Sequence, residues 1–205
     1  MSDPILFFHN PQSRGRIVRW MLEETGAPYD VRVVDLKMGG QKAPDYLAIN
    51  PMGKLPAIVH RGAVVTECAA ICAYLADAFP QAGLAPPLAE RAAYYRWLFF
   101  AAGALEYAIM DKMLARPPAS RPTALGYGTF EDTLRTLESA LYPGPWLLGD
   151  AFSAADVYIG SQIGFAIMMK ALDPTPAISA YAERCRARPA AQRAAALDTE
   201  LAASL

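Results

Sequence analysis

Residues 50–75, NPMGKLPAIVHRGAVVTECAAICAYL, decide how this chain folds. The stretch runs through a turn, a proline, a short apolar strand, a polar turn, a second short strand and a helix that opens at Thr66-Glu67-Cys68. Pro56 stands where a strand should begin, and a proline there cannot donate to a sheet ladder. A cis Leu55-Pro56 bond would expose the Leu55 backbone, whose N–H and C=O could pair with an extended peptide as an added strand would. About ten residues on, a helix start carries a carboxylate and a small side chain. Helix N-termini present unpaired N–H groups and attract anions. A peptide-pairing edge and an anion seat this close together suit a short peptide with a free carboxylate.

Working outward, Ile5 to His9 is a short apolar run read as a first strand. Asn10-Pro11-Gln12-Ser13 is turn chemistry. Arg14 to Thr25 has helical character, with Ile17, Val18 and Met21 on one side and Gly26 as a stop. Tyr29 to Leu36 is β-rich, and Pro44 to Ile49 reads as a short helix. Ala57 to Arg61 and Ala63 to Val65 form a hairpin around Arg61-Gly62. Cys68 to Phe79 is a helix. The order is β-α-β-α-β-β-α. The first two strands, separated by a helix, should be parallel, and the tightly joined last two antiparallel. A mixed four-stranded sheet with helices on its faces follows.

Pro80 to Pro87 reads as a linker, and after it no strand is convincing. Leu88 to Leu114 is a long helical pattern closed by Arg116-Pro117-Pro118. Thr129 to Leu141, the turn Tyr142-Pro143-Gly144-Pro145, then helices over Ser153–Leu172, Pro176–Ala187 and from Pro189 complete the chain. Ser153-Ala154-Ala155-Asp156 matches a capping box. The expected organisation is an α/β domain over 1–80 and an all-helical domain over 87–205.

The 205 residues are 54% hydrophobic and 19% charged, with a formal net charge of −1. That balance argues against nucleic acid or an anionic membrane as the main partner. Arg14, Arg16 and Arg19 are the only tight basic group and fit a helix face. The start, MSDPILFF, has no basic segment of a secretory leader. Val157 to Leu172 holds Ser161, Gln162 and Lys170 and is too short to span a bilayer comfortably. Three cysteines, Cys68, Cys72 and Cys185, fit a reducing cytosol. Cys68 and Cys72 lack a neighbouring His or further Cys, so no metal site is expected.

Ser13 is the first candidate for chemistry. A hydroxyl just before a helix can donate to a bound thiolate. It can equally serve as an N-cap. Moving a thiol pKa from about 8.5 to about 6.5 takes roughly 2.7 kcal/mol of anion stabilisation. A charge-assisted hydrogen bond of about 1.5–3 kcal/mol plus a helix end of about 0.3–1 kcal/mol could supply it. Asn10 is the nearest alternative donor, and His9 is a possible base or a structural ring. Glu67 can pair with an ammonium and the Cys68 amide with a carboxylate; first-turn acid preference and small-residue packing account for both equally well. Lys54 could meet a carboxylate or stay solvated. Aromatic residues crowd the first helix of the second domain, and Tyr107 with Met110 and Met113 could wall an apolar pocket.

Together, FFHNPQSRGRIVRWMLEE, NPMGKLPAI, TECAAICAYL, the Pro-rich linker and GDAFSAADVYIG resemble the cytosolic glutathione transferases, most closely bacterial members, over essentially the whole chain. The resemblance implies a thioredoxin-like domain followed by an α-helical one, in a cytoplasmic homodimer. It implies glutathione as co-substrate along a cis Leu55-Pro56 turn. Lys54 and Leu55 would hold its glycine and cysteine parts, and Glu67 and Cys68 its γ-glutamyl end. The thiolate, stabilised by Ser13 or else Asn10, would attack a small hydrophobic electrophile between the domains. Peroxide reduction is a further implied activity. The family usually has Ser where Cys68 stands, which predicts weaker binding. The competing expectation is a non-catalytic binding module of the same fold. A thiol–disulfide oxidoreductase would need a cysteine in the first loop, and 9–16 has none.

Overall fold

The computed structural model describes residues 4–117, 119–142 and 144–205. Pro118 and Pro143, read above as part of a helix stop and of a turn, lie outside the described residues, as do 1–3. The chain forms two compact units, one of 1–83 with 189–205 and one of 84–188.

The first unit is built on four short strands: β1 Ile5–His9, β2 Tyr29–Val33, β3 Ala57–His60 and β4 Ala63–Thr66. Their order across the sheet is β2-β1-β3-β4. β1 pairs parallel with β2 and antiparallel with β3, and β3 pairs antiparallel with β4. Central β1 turns Ile5, Phe7 and His9, all fully buried, to one face and the half-buried Leu6 and Phe8 to the other. The β3–β4 turn places Arg61 and Gly62 at φ 52° and 77°. Two successive positive φ values match the right-handed twist of a hairpin.

Helix α1, Gly15–Thr25, buries Ile17, Val18, Met21 and Leu22. It ends at Gly26 in the left-handed region, whose N–H closes on the Leu22 carbonyl. The short helix α2, Pro44–Ile49, begins on a proline, whose missing N–H costs nothing at that position. Helix α3, Cys68–Ala78, carries Ile71, Cys72 and Leu75 into the core.

The second unit is helical: α4 Ala92–Phe100, α5 Glu106–Met113, α6 Phe130–Ala140, α7 Ala154–Met168 and α8 Pro176–Ala187. The helix expected over 88–114 is a 3₁₀ turn, α4, a π segment at Ala101–Leu105 and α5. In the π segment the Glu106 N–H reaches back five residues to the Ala101 carbonyl, which also accepts from Gln162 Nε2 at 3.1 Å. Asp156 closes the start of α7. It accepts from the Ser153 N–H and hydroxyl at 3.0 Å each, from the Leu147 N–H at 3.0 Å and from the Tyr181 hydroxyl at 3.2 Å. Among the described residues no helix is long and apolar enough to cross a membrane.

The boundary between the units, after Gly83, falls within the 80–87 stretch read as a linker; Leu84 is buried there, and its carbonyl accepts from the Ala154 N–H. One sequence expectation changes. Helix α9, Pro189–Ala203, lies in the first unit rather than in a domain running 87–205. Charge explains its placement. Arg193 of α9 reaches the Glu23 carboxylate, and Asp198 reaches Arg19 and His9. Arg19, grouped in sequence with Arg14 and Arg16, is therefore buried.

Candidate active site

The turn after β1 is held together by its own polar groups. The Ser13 hydroxyl donates to the Asn10 carbonyl at 2.7 Å and accepts from the Gly15 N–H at 3.0 Å. Asn10 is buried, with Nδ2 donating to the Val34 carbonyl and Oδ1 accepting from the Gln12 N–H. Both candidate thiolate donors thus shape the turn. Ser13 is half-buried and so the more accessible of the two. Beside the turn lies a cavity of about 50 Å³ lined by Asn10, Pro11, Gln12, Asp35, Lys37 and the C-terminal Ala202 and Leu205.

The Leu55–Pro56 bond is cis. The Lys54 carbonyl just before it accepts from the Tyr46 hydroxyl at 2.5 Å and from Asn50 Nδ2 at 2.9 Å. Burial pushes the Tyr46 hydroxyl up to a pKa of about 12, so it remains a donor across the ordinary pH range. Leu55 itself packs on Val34, Tyr46 and Ala57. Its N–H and C=O pair with no group among the described residues. The Lys54 side chain is exposed. Tyr46 and Asn50, which brace this edge, carry no catalytic signature in sequence.

At the start of α3, Glu67 is exposed and adopts φ 66°, ψ 123°. A non-glycine residue held there costs roughly 1–3 kcal/mol and persists only where its surroundings enforce it. No side chain caps the helix, and the Ala69 and Ala70 amides have no partner among the described residues. The Cys68 thiol turns back, 3.8 Å from the Arg14 carbonyl. That contact ties the start of α3 to the start of α1, so the Ser13 turn and the Glu67–Cys68 corner are neighbours.

Tyr107, Met110 and Met113 belong to α5 in the helical unit. Tyr107 is 53% exposed and stacks on Tyr127, with ring centroids 5.5 Å apart. Tyr127 in turn donates to Asp111 at 2.7 Å. The two methionines are half-buried. Among the described residues no three metal-binding side chains cluster.

Sequence reasoning missed a buried charge cluster under the Ser13 turn. His9 Nε2 lies 2.7 Å from Asp198 Oδ1. Arg19 Nε is 2.8 Å from the same oxygen, and Arg16 Nε is 3.9 Å from the other. Burial lowers the His9 pKa, partly opposed by Asp198. His9 and Asp198 stand 189 positions apart, which no local pattern reports.

A family model described as the glutathione S-transferase N-terminal domain matches residues 13–78, and one described as the C-terminal domain matches 121–184. Glutathione S-transferase GstA of Escherichia coli O157:H7 is 30% identical over 193 residues, 91% of this chain and 95% of that one. The disulfide-bond oxidoreductase YfcG of Escherichia coli K12 is 31% identical over 203 residues, 90% and 91% of the two chains. Among solved structures, a theta class glutathione S-transferase of Xanthomonas axonopodis pv. citri with glutathione bound superposes with a TM-score of 0.78. It is 30% identical, over 93% of this chain and 96% of that one. The chain belongs to the glutathione S-transferase family.

Proposed function

We propose that the protein conjugates the glutathione thiolate to small hydrophobic electrophiles. The observation that carries this reading is the corner where the unpaired Leu55 edge and the strained, uncapped start of α3 adjoin the Ser13 turn. The tripeptide would pair its main chain with Leu55, with Lys54 near its glycine carboxylate. Glu67 would take the γ-glutamyl ammonium, and the first amides of α3, Cys68 included, its carboxylate. Pro56 shapes the edge and donates nothing.

Ser13 would stabilise the thiolate, and its existing bond sets the size of the effect. The hydroxyl has one proton, now on the Asn10 carbonyl. Turning it to a thiolate exchanges a neutral bond of about 0.5–1.5 kcal/mol for a charge-assisted one of about 1.5–3 kcal/mol. The net gain of roughly 1 kcal/mol lowers the thiol pKa by somewhat under one unit. The remainder must come from helix ends and nearby cations. The thiolate then attacks the electrophile, forming an S–C bond as the leaving group departs with its electron pair. Tyr107, Met110 and Met113 would supply an apolar wall for that partner. The protein would act in the cytoplasm as a homodimer, and peroxide reduction would use the same thiolate.

A second reading, a glutathione-binding module without much turnover, draws support from the Ser13 proton being committed to Asn10 and the Cys68 thiol to Arg14. Retention on immobilised glutathione, combined with conjugation of chlorodinitrobenzene, separates the two. The transferase reading expects retention and turnover, with turnover falling about fivefold or more in Ser13→Ala, in line with roughly 1 kcal/mol. Retention without turnover favours the module. Loss confined to Asn10→Ala moves the catalytic role to that residue, and no retention at all overturns both.

A further inference from the structure

We propose that Asp198, in the C-terminal helix α9, is a positioning residue for the Ser13 turn and acts through His9. The inference rests on the reading of Ser13 as the thiolate's partner. His9 closes β1, and the turn begins at the next residue. Its ring is fully buried and stacks on Phe7, with centroids 4.7 Å apart. Nε2 meets Asp198, whose carboxylate also faces Arg19 and Arg16 of α1. Facing two guanidiniums, the Asp198 carboxylate serves as the acceptor. The imidazole proton therefore sits on Nε2, and burial favours the neutral ring. Nδ1 is left with a lone pair that has no partner among the described residues.

That lone pair is aimed at the start of α1. A Cβ placed on Gly15 would lie 2.1 Å from His9 Nδ1 and 3.0 Å from Ser13 Oγ. Ring edge and hydroxyl thus flank one point of the chain, and the ring fills the space that a side chain at position 15 would need. The Gly15 N–H donates to Ser13 Oγ across this gap. Asp198 fixes the tautomer and tilt of the ring, the ring sets where Gly15 sits, and Gly15 sets the Ser13 oxygen. Without Asp198 the ring would lose its orienting acceptor and would be left facing two uncompensated arginines. The Ser13 hydroxyl would drift from the direction a thiolate needs, whereas the Leu55 and Glu67 end of the site would be untouched.

The test measures the pKa of bound glutathione from its thiolate absorbance, beside the affinity for S-methylglutathione, which has no thiol to ionise. Asp198→Ala is expected to raise the thiol pKa by about half a unit and to lower kcat about threefold near neutral pH. S-methylglutathione affinity should stay within twofold. Asp198→Asn, which can still accept from Nε2, should restore most of the loss. In a Ser13→Ala background, Asp198→Ala should shift the thiol pKa no further. An unmoved thiol pKa in a folded Asp198→Ala protein overturns the proposal, as does a full shift in the Ser13→Ala background. If Asp198→Ala does not fold, His9→Gln takes its place under the same criteria. A wild-type protein that binds no S-methylglutathione removes the transferase reading and this inference with it. Wild-type turnover with an unmoved pKa removes only the inference.

Discussion

Helices α3 and α7 begin in opposite ways. At α7 a buried carboxylate, Asp156, collects Ser153, Leu147 and Tyr181, and little polar capacity is left over. At α3 the cap position is an exposed glutamate at positive φ, no side chain closes the turn, and the Ala69 and Ala70 amides point to no group among the described residues. Both starts place a hydroxyl residue, an acid and two alanines within a few positions of sequence. Their difference separates two uses of one element. A helix end whose donors are satisfied by its own chain holds the fold together. A helix end that is strained and left open is suited to an anion that arrives later.

The largest effect should come from the closed end. Asp156→Ala strands the Leu147 and Ser153 N–H groups and the Tyr181 hydroxyl in the interior. At roughly 1–3 kcal/mol for a stranded buried donor, with incomplete additivity, the expected loss is about 4 kcal/mol by urea unfolding. Glutathione affinity of the folded fraction should be unchanged. A stability loss under about 1 kcal/mol would break the contrast, because α7 would then be held by something else.

The start of α1 lies between these extremes, satisfied locally but resting on a buried titratable ring. Because burial sets the folded pKa of His9 below its ordinary 6.5, the unfolded chain takes up a proton that the native chain refuses. The stabilisation is complete above pH 6.5 and is lost as pH falls below it toward the folded pKa, at up to about 1.4 kcal/mol per pH unit. Thermal unfolding between pH 7.5 and 5 should show that slope, and His9→Gln should flatten it. An equal slope in the variant would assign the titration to another group.

The part of the fold that sequence makes legible is the part written locally. Alternation and turn chemistry around Arg61-Gly62 define the hairpin, Gly26 ends α1, and the Ser153–Asp156 spacing marks the start of α7. The Leu55-Pro56 edge is also local, braced by Tyr46 and Asn50 eight and four positions from Lys54. What was illegible depends on partners distant in sequence. α9 looks like any alanine-rich helix until Asp198 finds His9 and Arg19. The Ala101 carbonyl of the π segment also accepts from Gln162, sixty-one positions away, which no local pattern reports. The role of Ser13 stayed ambiguous for a different reason. A cap and a thiolate donor call for the same hydroxyl at the same place, and the geometry engages it within the turn, between the Asn10 carbonyl and the Gly15 N–H, with Arg14 at the cap position of α1.

Cys68 offers a sharper look at the open end. Its thiol is a weak donor and is turned toward Arg14. Cys68→Ser supplies a stronger donor in the same position, and a gain of about 1 kcal/mol would tighten glutathione binding about fivefold by calorimetry. Weaker binding would mean that the thiol, through the Arg14 contact, matters more for holding the two helix starts together than a hydroxyl matters for the ligand.

The smallest effect is the most discriminating. Glu67 pays a conformational cost at φ 66°, ψ 123° that glycine would not. Glycine also gives the unfolded chain more freedom, so Glu67→Gly should leave the protein as stable as before or more stable by about 0.5 kcal/mol. An exposed ion pair with the γ-glutamyl ammonium is worth about 0.2–1 kcal/mol, so glutathione should bind about 1.4- to fivefold more weakly. Stability and affinity moving in opposite directions is the signature of a residue kept for a ligand rather than for the fold. If both fall together, the Glu67 side chain is structural, and the open start of α3 would belong to the same category as the closed start of α7.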